Sequence, residues 1–259
     1  MTSFRVGAQL FSVRNLTQDE ASLDSTLTAI AAMGYKCAQL SGHSRQIPAE
    51  AIKAMLEKTG LDAPSTHQSL EQIETGYEAM VKAHHLWGTK YPGIGSMPAA
   101  NREGGKQGFI AFAKAAGEAA KRLKQDGLTL VYHNHAFEFA KFDGVTGMQI
   151  LMDYAPQELQ FELDTYWAQA GGVDPVEWIG KLKGRIDVIH FKEMTGGEHG
   201  PEMAPFGEGN LNWKAIFAAS EGAGVKWAFI EQDNAAEGPD PLGCMKTSLV
   251  NLEKAGATL

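Results

Sequence analysis

Hydrophobic and polar positions along the chain repeat one alternation. A short apolar run is followed by a longer stretch with apolar residues at helical spacing. Arg5 to Gln9 (RVGAQ) reads as the first strand. Asp19 to Met33 is a helix, with Ala21, Leu23, Leu27, Ile30 and Met33 on one face and Gly34 as its stop. Tyr35 to Leu40 is the second strand, and a helix after Pro48 runs to Gly60. Leu61 to His67 is the third strand, followed by a helix from Leu70 to Trp87 that contains the unfavourable Gly76. Lys90 to Ile94 is the fourth, although Pro92 and Gly93 are poor strand residues. After a long helix from Gly104 to Gln125, the fifth strand starts at Leu128, with a helix from Val145 to Tyr154. Leu159 to Leu163 is the sixth, and Asp174-Pro175 opens a helix ending at Gly184. Arg185 to Phe191 is the seventh; a Gly- and Pro-rich excursion from Thr195 to Asn210 then precedes a helix capped by Asn212 and reaching Ala223. Val225 to Glu231 is the eighth strand, and Leu242 to Lys254 closes the chain as a helix.

That is eight strand–helix alternations with no linker-like break, and 259 residues over eight units gives about 32 each. A strand, crossover helix and next strand need ~30. A single (β/α)₈ TIM-barrel domain over residues 1–259 is the economical architecture. A doubly wound open sheet is the competitor, but no GxGxxG turn or P-loop supports it.

Composition narrows the partners. A formal net charge of −8 gives no general attraction to nucleic acid or anionic membrane. No apolar stretch approaches the length needed to span a bilayer, and the amino terminus lacks a long apolar segment. The two cysteines, Cys37 and Cys244, have no metal-ribbon spacing and fit a reducing compartment. A cytoplasmic protein that binds neither membrane nor nucleic acid is the expectation.

The chemistry gathers where the strands end. LTLVYHNHAFEF, Leu128 to Phe139, begins as a buried strand and ends in Tyr132, His133, Asn134, His135 and Glu138. Other strands end similarly: LQFELD at Asp164, RIDVIHF with His190, VKWAFIEQD with Glu231, and earlier ones at Gln9, Gln39 and His67. Reactive groups of a TIM barrel lie at these carboxyl ends. Each residue has a plainer reading: Asp164 as a cap, His190 as a hydrogen-bonded core histidine, Lys192 as a surface charge. Their convergence from most of the ring outweighs these readings. Carboxylates and imidazoles sharing one mouth repel or lose solvation unless a cation compensates. An oxygen and nitrogen donor set without thiolate suits a divalent ion, Mn²⁺, Mg²⁺, Co²⁺ or Zn²⁺, and does not decide among them; Mn²⁺ is the expectation.

The chain resembles the sugar phosphate isomerase/epimerase family, the xylose isomerase-like TIM barrels, and within it a branch containing HNH. The resemblance runs through VGAQLFSVR, GYKCAQLSG, VYHNHAFEF, FELDTYWAQAGGVDP, IDVIHFKEM, PFGEGNLNW and KWAFIEQDN. It implies one divalent metal held by Glu, Asp, His and Glu from strands five to eight. Carried over, the last three are Asp164, His190 and Glu231. Where many members have Glu in ENH, this chain has His133-Asn134-His135. The resemblance therefore points to Glu138 folding back as the strand-five ligand, with His133 or His135 as replacements.

The implied activity is sugar isomerisation or epimerisation: a proton is taken from beside a carbonyl and the enediolate is stabilised by metal. Glu231 and Glu138 are candidates for the acid–base pair. His135 and Lys192 are candidate polarising or proton-shuttling groups, and Gln9, Gln39, His67 and His133 candidate substrate contacts. Loss of a β-leaving group from the same intermediate would make a lyase or dehydratase acting on a keto-inositol or 3-keto-glycoside. A metal-dependent endonuclease, which calls for a basic surface, and a non-catalytic sugar-binding barrel are the readings from other classes. The expected partner is a small sugar or sugar derivative, and the resemblance implies a homo-oligomer.

Overall fold

A computed structural model describes residues 2–257. Met1, Thr258 and Leu259, included in the domain expectation of 1–259, lie outside the described residues. Eight parallel strands form the barrel: β1 (Arg5–Gln9), β2 (Ala38–Gln39), β3 (Ser65–Gln68), β4 (Tyr91–Ile94), β5 (Val131–His133), β6 (Gln160–Asp164), β7 (Val188–Gly197) and β8 (Trp227–Glu231). They pair in the order β2-β1-β8-β7-β6-β5-β4-β3. Parallel bridges between Cys37 and Asp62 and between Leu40 and Thr66 join β2 to β3 and bring the ring round on itself.

Register carries the sequence pattern into space. Side chains two apart on a strand share a face, so each barrel-facing series stacks inward and upward. Near the floor stand Cys37, Tyr91, Val131, Val188 and Phe229, a buried apolar cluster. Two residues further along their strands come Gln39, Gly93, His133, His190 and Glu231. The pairing sets Gln9 beside Gln39, Asp164 beside His190, and Lys192 beside Glu231. Apolar residues on the opposite strand faces pack with the helices into the main core.

Local signals place the helices. Asp19 and Ser22 form a capping box before Glu20–Met33, and Gly60 ends Ala49–Thr59 at φ 68°, a conformation glycine adopts without a Cβ penalty. Asp174 caps Pro175–Lys181, and Asn212 caps Trp213–Ala223.

The differences from the sequence reading also have local causes. The expected helix from Leu70 to Trp87 breaks at Gly76 into Leu70–Thr75 and Tyr77–Trp87. Val145-Thr146 pairs with Lys141-Phe142 in a hairpin turned by Asp143 and Gly144, both at positive φ, so that helix begins at Gly147. The excursion after Thr195 is partly a second hairpin, with Gly200–Ala204 returning antiparallel along β7. Its remainder wraps the buried Glu193 carboxylate, which accepts from the backbone N–H groups of Gly207 at 3.0 Å and Leu211 at 3.2 Å. Thr165–Ala170, a short helix that the pattern does not announce, starts directly after β6.

Candidate active site

Two tiers of polar side chains rise above the apolar floor. In the lower tier, Gln39 Nε2 donates to Ser65 Oγ and to Glu162 Oε1, both at 2.8 Å. His190 Nε2 faces Gln39 Oε1 at 2.6 Å and Glu162 Oε1 at 3.1 Å. Both partners are acceptors, which places a proton on Nε2. His67 forms an ion-pair contact with the other Glu162 oxygen, and its ring stacks 5.2 Å from that of His190. Gln9, Gln39, Glu162 and His190 are fully buried.

The upper tier gathers at the ends of β5 to β8. One donor atom from each of His133, Asp164, His190 and Glu231 lies within 4.8 Å of the others. His190 Nδ1 is 2.8 Å from Glu231 Oε2, and His133 Nε2 is 3.2 Å from Asp164 Oδ2. His133 Nδ1 is turned to the Gly95 carbonyl at 3.1 Å, which leaves Nε2 as the acceptor nitrogen facing the cluster. Asp164 divides its work. Its Oδ1 accepts from Trp167 N at 3.0 Å, capping Thr165–Ala170, while Oδ2 faces the cluster. Its own N–H donates to Asn134 Oδ1 at 3.0 Å, so the middle residue of HNH holds β5 and β6 in step.

Lys192 enters the same space. Its Nζ lies 2.9 Å from Glu231 Oε2, 2.9 Å from Asp233 Oδ2 and 3.2 Å from Asp164 Oδ2. Burial, the largest single influence, would raise Glu231 and Asp164, but the Lys192 ammonium together with His190 and His133 outweighs it and holds both well below the carboxylate range. Burial likewise opposes charge on His190, yet Glu162 and Glu231 on either side raise it well above an ordinary imidazole. Asp233 goes the other way: burial and neighbouring Glu231 push it up to about 6. His135 is pushed down to about 3 by burial and by His133, and is neutral.

This donor set fits a divalent metal ion. Four carboxylates, Glu162, Asp164, Glu231 and Asp233, face one fixed cation, Lys192, and the imidazoles of His190 and His67, a surplus of carboxylates in a buried space. Two imidazole and two carboxylate donors directed at one point supply what such an ion takes.

A sequence model of the family described as xylose isomerase-like TIM barrel matches residues 27–247. The chain belongs to that family. No curated protein matches it in sequence. Among solved structures it is similar to a sugar phosphate isomerase/epimerase from Parabacteroides distasonis, with 20% identity, a TM-score of 0.82, and 98% of this chain and 95% of the other covered. It is also similar to the probable 3-DHS dehydratase AsbF of Bacillus anthracis (14% identity, TM-score 0.71, 96% and 99% covered). The IOLI protein with a binding zinc atom is a third such structure (12% identity, TM-score 0.71, 97% of each chain covered). At these identities the likeness is one of fold.

Within this xylose isomerase-like barrel the sequence-derived candidates separate. His133, Asp164, His190 and Glu231 come together. Glu138, expected as ligand and base, does not join them: it is fully buried, accepting from the Tyr132 hydroxyl and from His135 N at 2.8 Å. The turn Ala136–Phe139 folds it back onto the chain just before it, and His133 is the β5 residue whose ring nitrogen lies within the cluster. Gln9 and Gln39, expected as substrate contacts, lie buried beneath His190 and support its ring instead. His67, His133, His135, Lys192, Glu231 and Asp233 line a mouth cavity of about 310 Å³. Glu162 and Asp233 were missed. Glu162 shares a strand face with Asp164, two positions on, so period-two alternation is the available signal for it, whereas Asp233 lies in the turn Asp233–Glu237 just past the end of β8, where no strand pattern points to it.

Proposed function

We propose that this barrel is a divalent-metal-dependent sugar isomerase or epimerase, with Mn²⁺ as the first candidate metal, that moves a proton beside the carbonyl of a sugar. The observation that carries the reading is the convergence of His133, Asp164, His190 and Glu231 at the ends of four successive strands. When bound there, a divalent ion supplies Lewis-acid polarisation of adjacent carbonyl and hydroxyl oxygens.

The chain's own residues cover the remaining requirements. Glu231, held ionised by Lys192 and His190, is the carboxylate base. Asp233, close to neutrality in its pKa and bordering the same cavity, is the group that returns a proton. This assigns to Asp233 the second acid–base place that the sequence suggested for Glu138. Lys192 and neutral His135 flank the cavity and polarise the oxygen where charge develops. Around the mouth, His135 Nδ1, Trp167 Nε1, Gln232 Oε1 and Asp233 Oδ1 are buried with no hydrogen-bond partner among the described residues. Unclaimed buried donors and acceptors are what a polyhydroxy ligand can satisfy.

A second outcome is open to the same intermediate. Expulsion of a β-substituent would make the enzyme a dehydratase, and the fold likeness to a probable 3-DHS dehydratase keeps that reading beside the first. The test is incubation of the Mn²⁺-loaded protein with keto-sugars in D₂O. Deuterium gained at the carbon beside the carbonyl, with the substituent retained, supports isomerase or epimerase chemistry. Deuterium gained with a substituent lost supports the dehydratase, and full exchange in Glu231→Gln removes Glu231 as the base.

A further inference from the structure

Beside the mouth lies a second and larger cavity, about 530 Å³ against the mouth's 310 Å³. It runs between the helices Ala49–Thr59 and Tyr77–Trp87 and over the ends of β2 and β3. Gly42, Arg45, His67 and Gln68 border both spaces, so the two meet at the top of the barrel. Their chemistry differs. The mouth is ringed by charge, whereas the groove has Leu40, Ile47, Ile52 and Met80 in its buried walls and Trp87 beside them.

The groove is held open by residue choice. Gly76, Ala79 and Ala83 recur at helical spacing along the face toward Ala49–Thr59, where larger side chains would close the helix pair. The walls are fixed. Trp87 Nε1 donates to the Ala49 carbonyl at 2.8 Å, and His84 bonds Thr66 Oγ1 and the Met80 carbonyl, each at 2.8 Å. One polar atom is left over: His43 Nδ1 is buried in this lining with no partner among the described residues. Apolar side chains over much of the wall, a polar rim that includes Arg45, Gln68 and Gln72, the unpartnered His43 Nδ1 and a volume in the range of small-molecule sites together describe a ligand pocket.

We propose that this groove is an aglycone subsite: the substrate is a keto-glycoside whose sugar ring, carrying the carbonyl, occupies the charged mouth and whose apolar, aromatic aglycone lies between the two helices. The inference rests on the sugar reading above and names its substrate class. A free monosaccharide leaves the apolar walls of Leu40, Ile47, Ile52 and Met80 in water. An aromatic ring buries that surface instead.

The experiment is calorimetric titration of the Mn²⁺-loaded full chain with matched p-nitrophenyl and methyl 3-keto-glycosides of gluco, galacto and xylo configuration, and with p-nitrophenol alone. Ala83→Trp and Ala79→Trp fill the groove from a helix face outside the main core, and thermal melts check that both variants fold. The expected result is that one aryl glycoside binds on the order of tenfold tighter than its methyl partner, and that both variants bring this ratio close to one. Equal affinities in the wild type, or a ratio unchanged in a folded variant, overturn the inference and leave the sugar reading standing. Binding of p-nitrophenol without any glycoside, or of no probe at all, overturns both.

Discussion

Glu162 stands 3.1 Å from His190 Nε2, on the opposite side of the ring from Glu231, which stands 2.8 Å from Nδ1. A carboxylate at Nε2 keeps the proton there, so that when a metal ion displaces the Nδ1 proton, Nδ1 is the nitrogen whose lone pair faces the cluster. Glu162→Gln is therefore expected to weaken Mn²⁺ binding roughly 10- to 100-fold, the usual effect of losing a group that orients a metal-binding histidine. Titration of the metal-free protein with Mn²⁺ measures it. Unchanged affinity would remove the orienting role.

Lys192 touches the same Asp164 and Glu231 oxygens that belong to the donor cluster. In metal-free protein it is the main buried counter-charge to them. Lys192→Met leaves those carboxylates uncompensated, and the metal-free variant is expected to lose about 3–5 kcal/mol of stability. Mn²⁺ then raises the melting temperature of Lys192→Met more than that of the wild type, because the ion restores the missing positive charge. Paired melts with and without Mn²⁺ decide the matter; an equal rise in both proteins would show that Lys192 does not compensate those carboxylates.

The strands and most of the donor cluster were legible because both obey short-range rules. Apolar runs located the strands, and a polar residue at a strand's end located Asp164, His190 and Glu231. Glu162 escaped because attention to strand ends overlooks the residue two positions earlier on the same face. Glu138 was misplaced for a different reason. Its fate depends on a turn that returns its carboxylate to His135 N and the Tyr132 hydroxyl, a geometry that the letters HNHAFE do not force. The hairpin after Thr195 escaped because its turn is rich in glycine, and its pairing depends on the length of β7 rather than on apolar alternation. The groove between the two outer helices depends on their spacing, which no local pattern encodes.

Glu138 also makes a pH prediction. Burial pushes its carboxyl up from 4.5 to about 8. A carboxyl raised in the folded state stabilises fully below its unfolded pKa, and that contribution is lost as pH rises through the folded value. Stability attributable to Glu138 should therefore decline between about pH 4.5 and 8. His190 acts in the same direction above its ordinary 6.5 in metal-free protein, so the difference between wild type and Glu138→Gln isolates the effect. Denaturant midpoints at pH 5 and pH 8.5 should converge in the variant relative to the wild type. An identical pH dependence in both would show that Glu138 does not titrate in this window.

The last prediction concerns a residue that looked wrong for a strand. A Cβ on Gly93 would stand 2.6 Å from the Thr66 carbonyl oxygen and 2.7 Å from the His67 ring. The first contact is with β3 backbone and cannot be relieved by a rotamer change. The second presses on the ring that meets Glu162 and stacks against His190. Gly93→Ala should thus cost about 1–3 kcal/mol through overpacking, and should also weaken Mn²⁺ binding by displacing His67 from Glu162. Urea unfolding reads the first effect and metal titration the second. Loss of stability with unaltered metal affinity would confine Gly93 to packing β3 against β4, and would separate His67 from the support of His190.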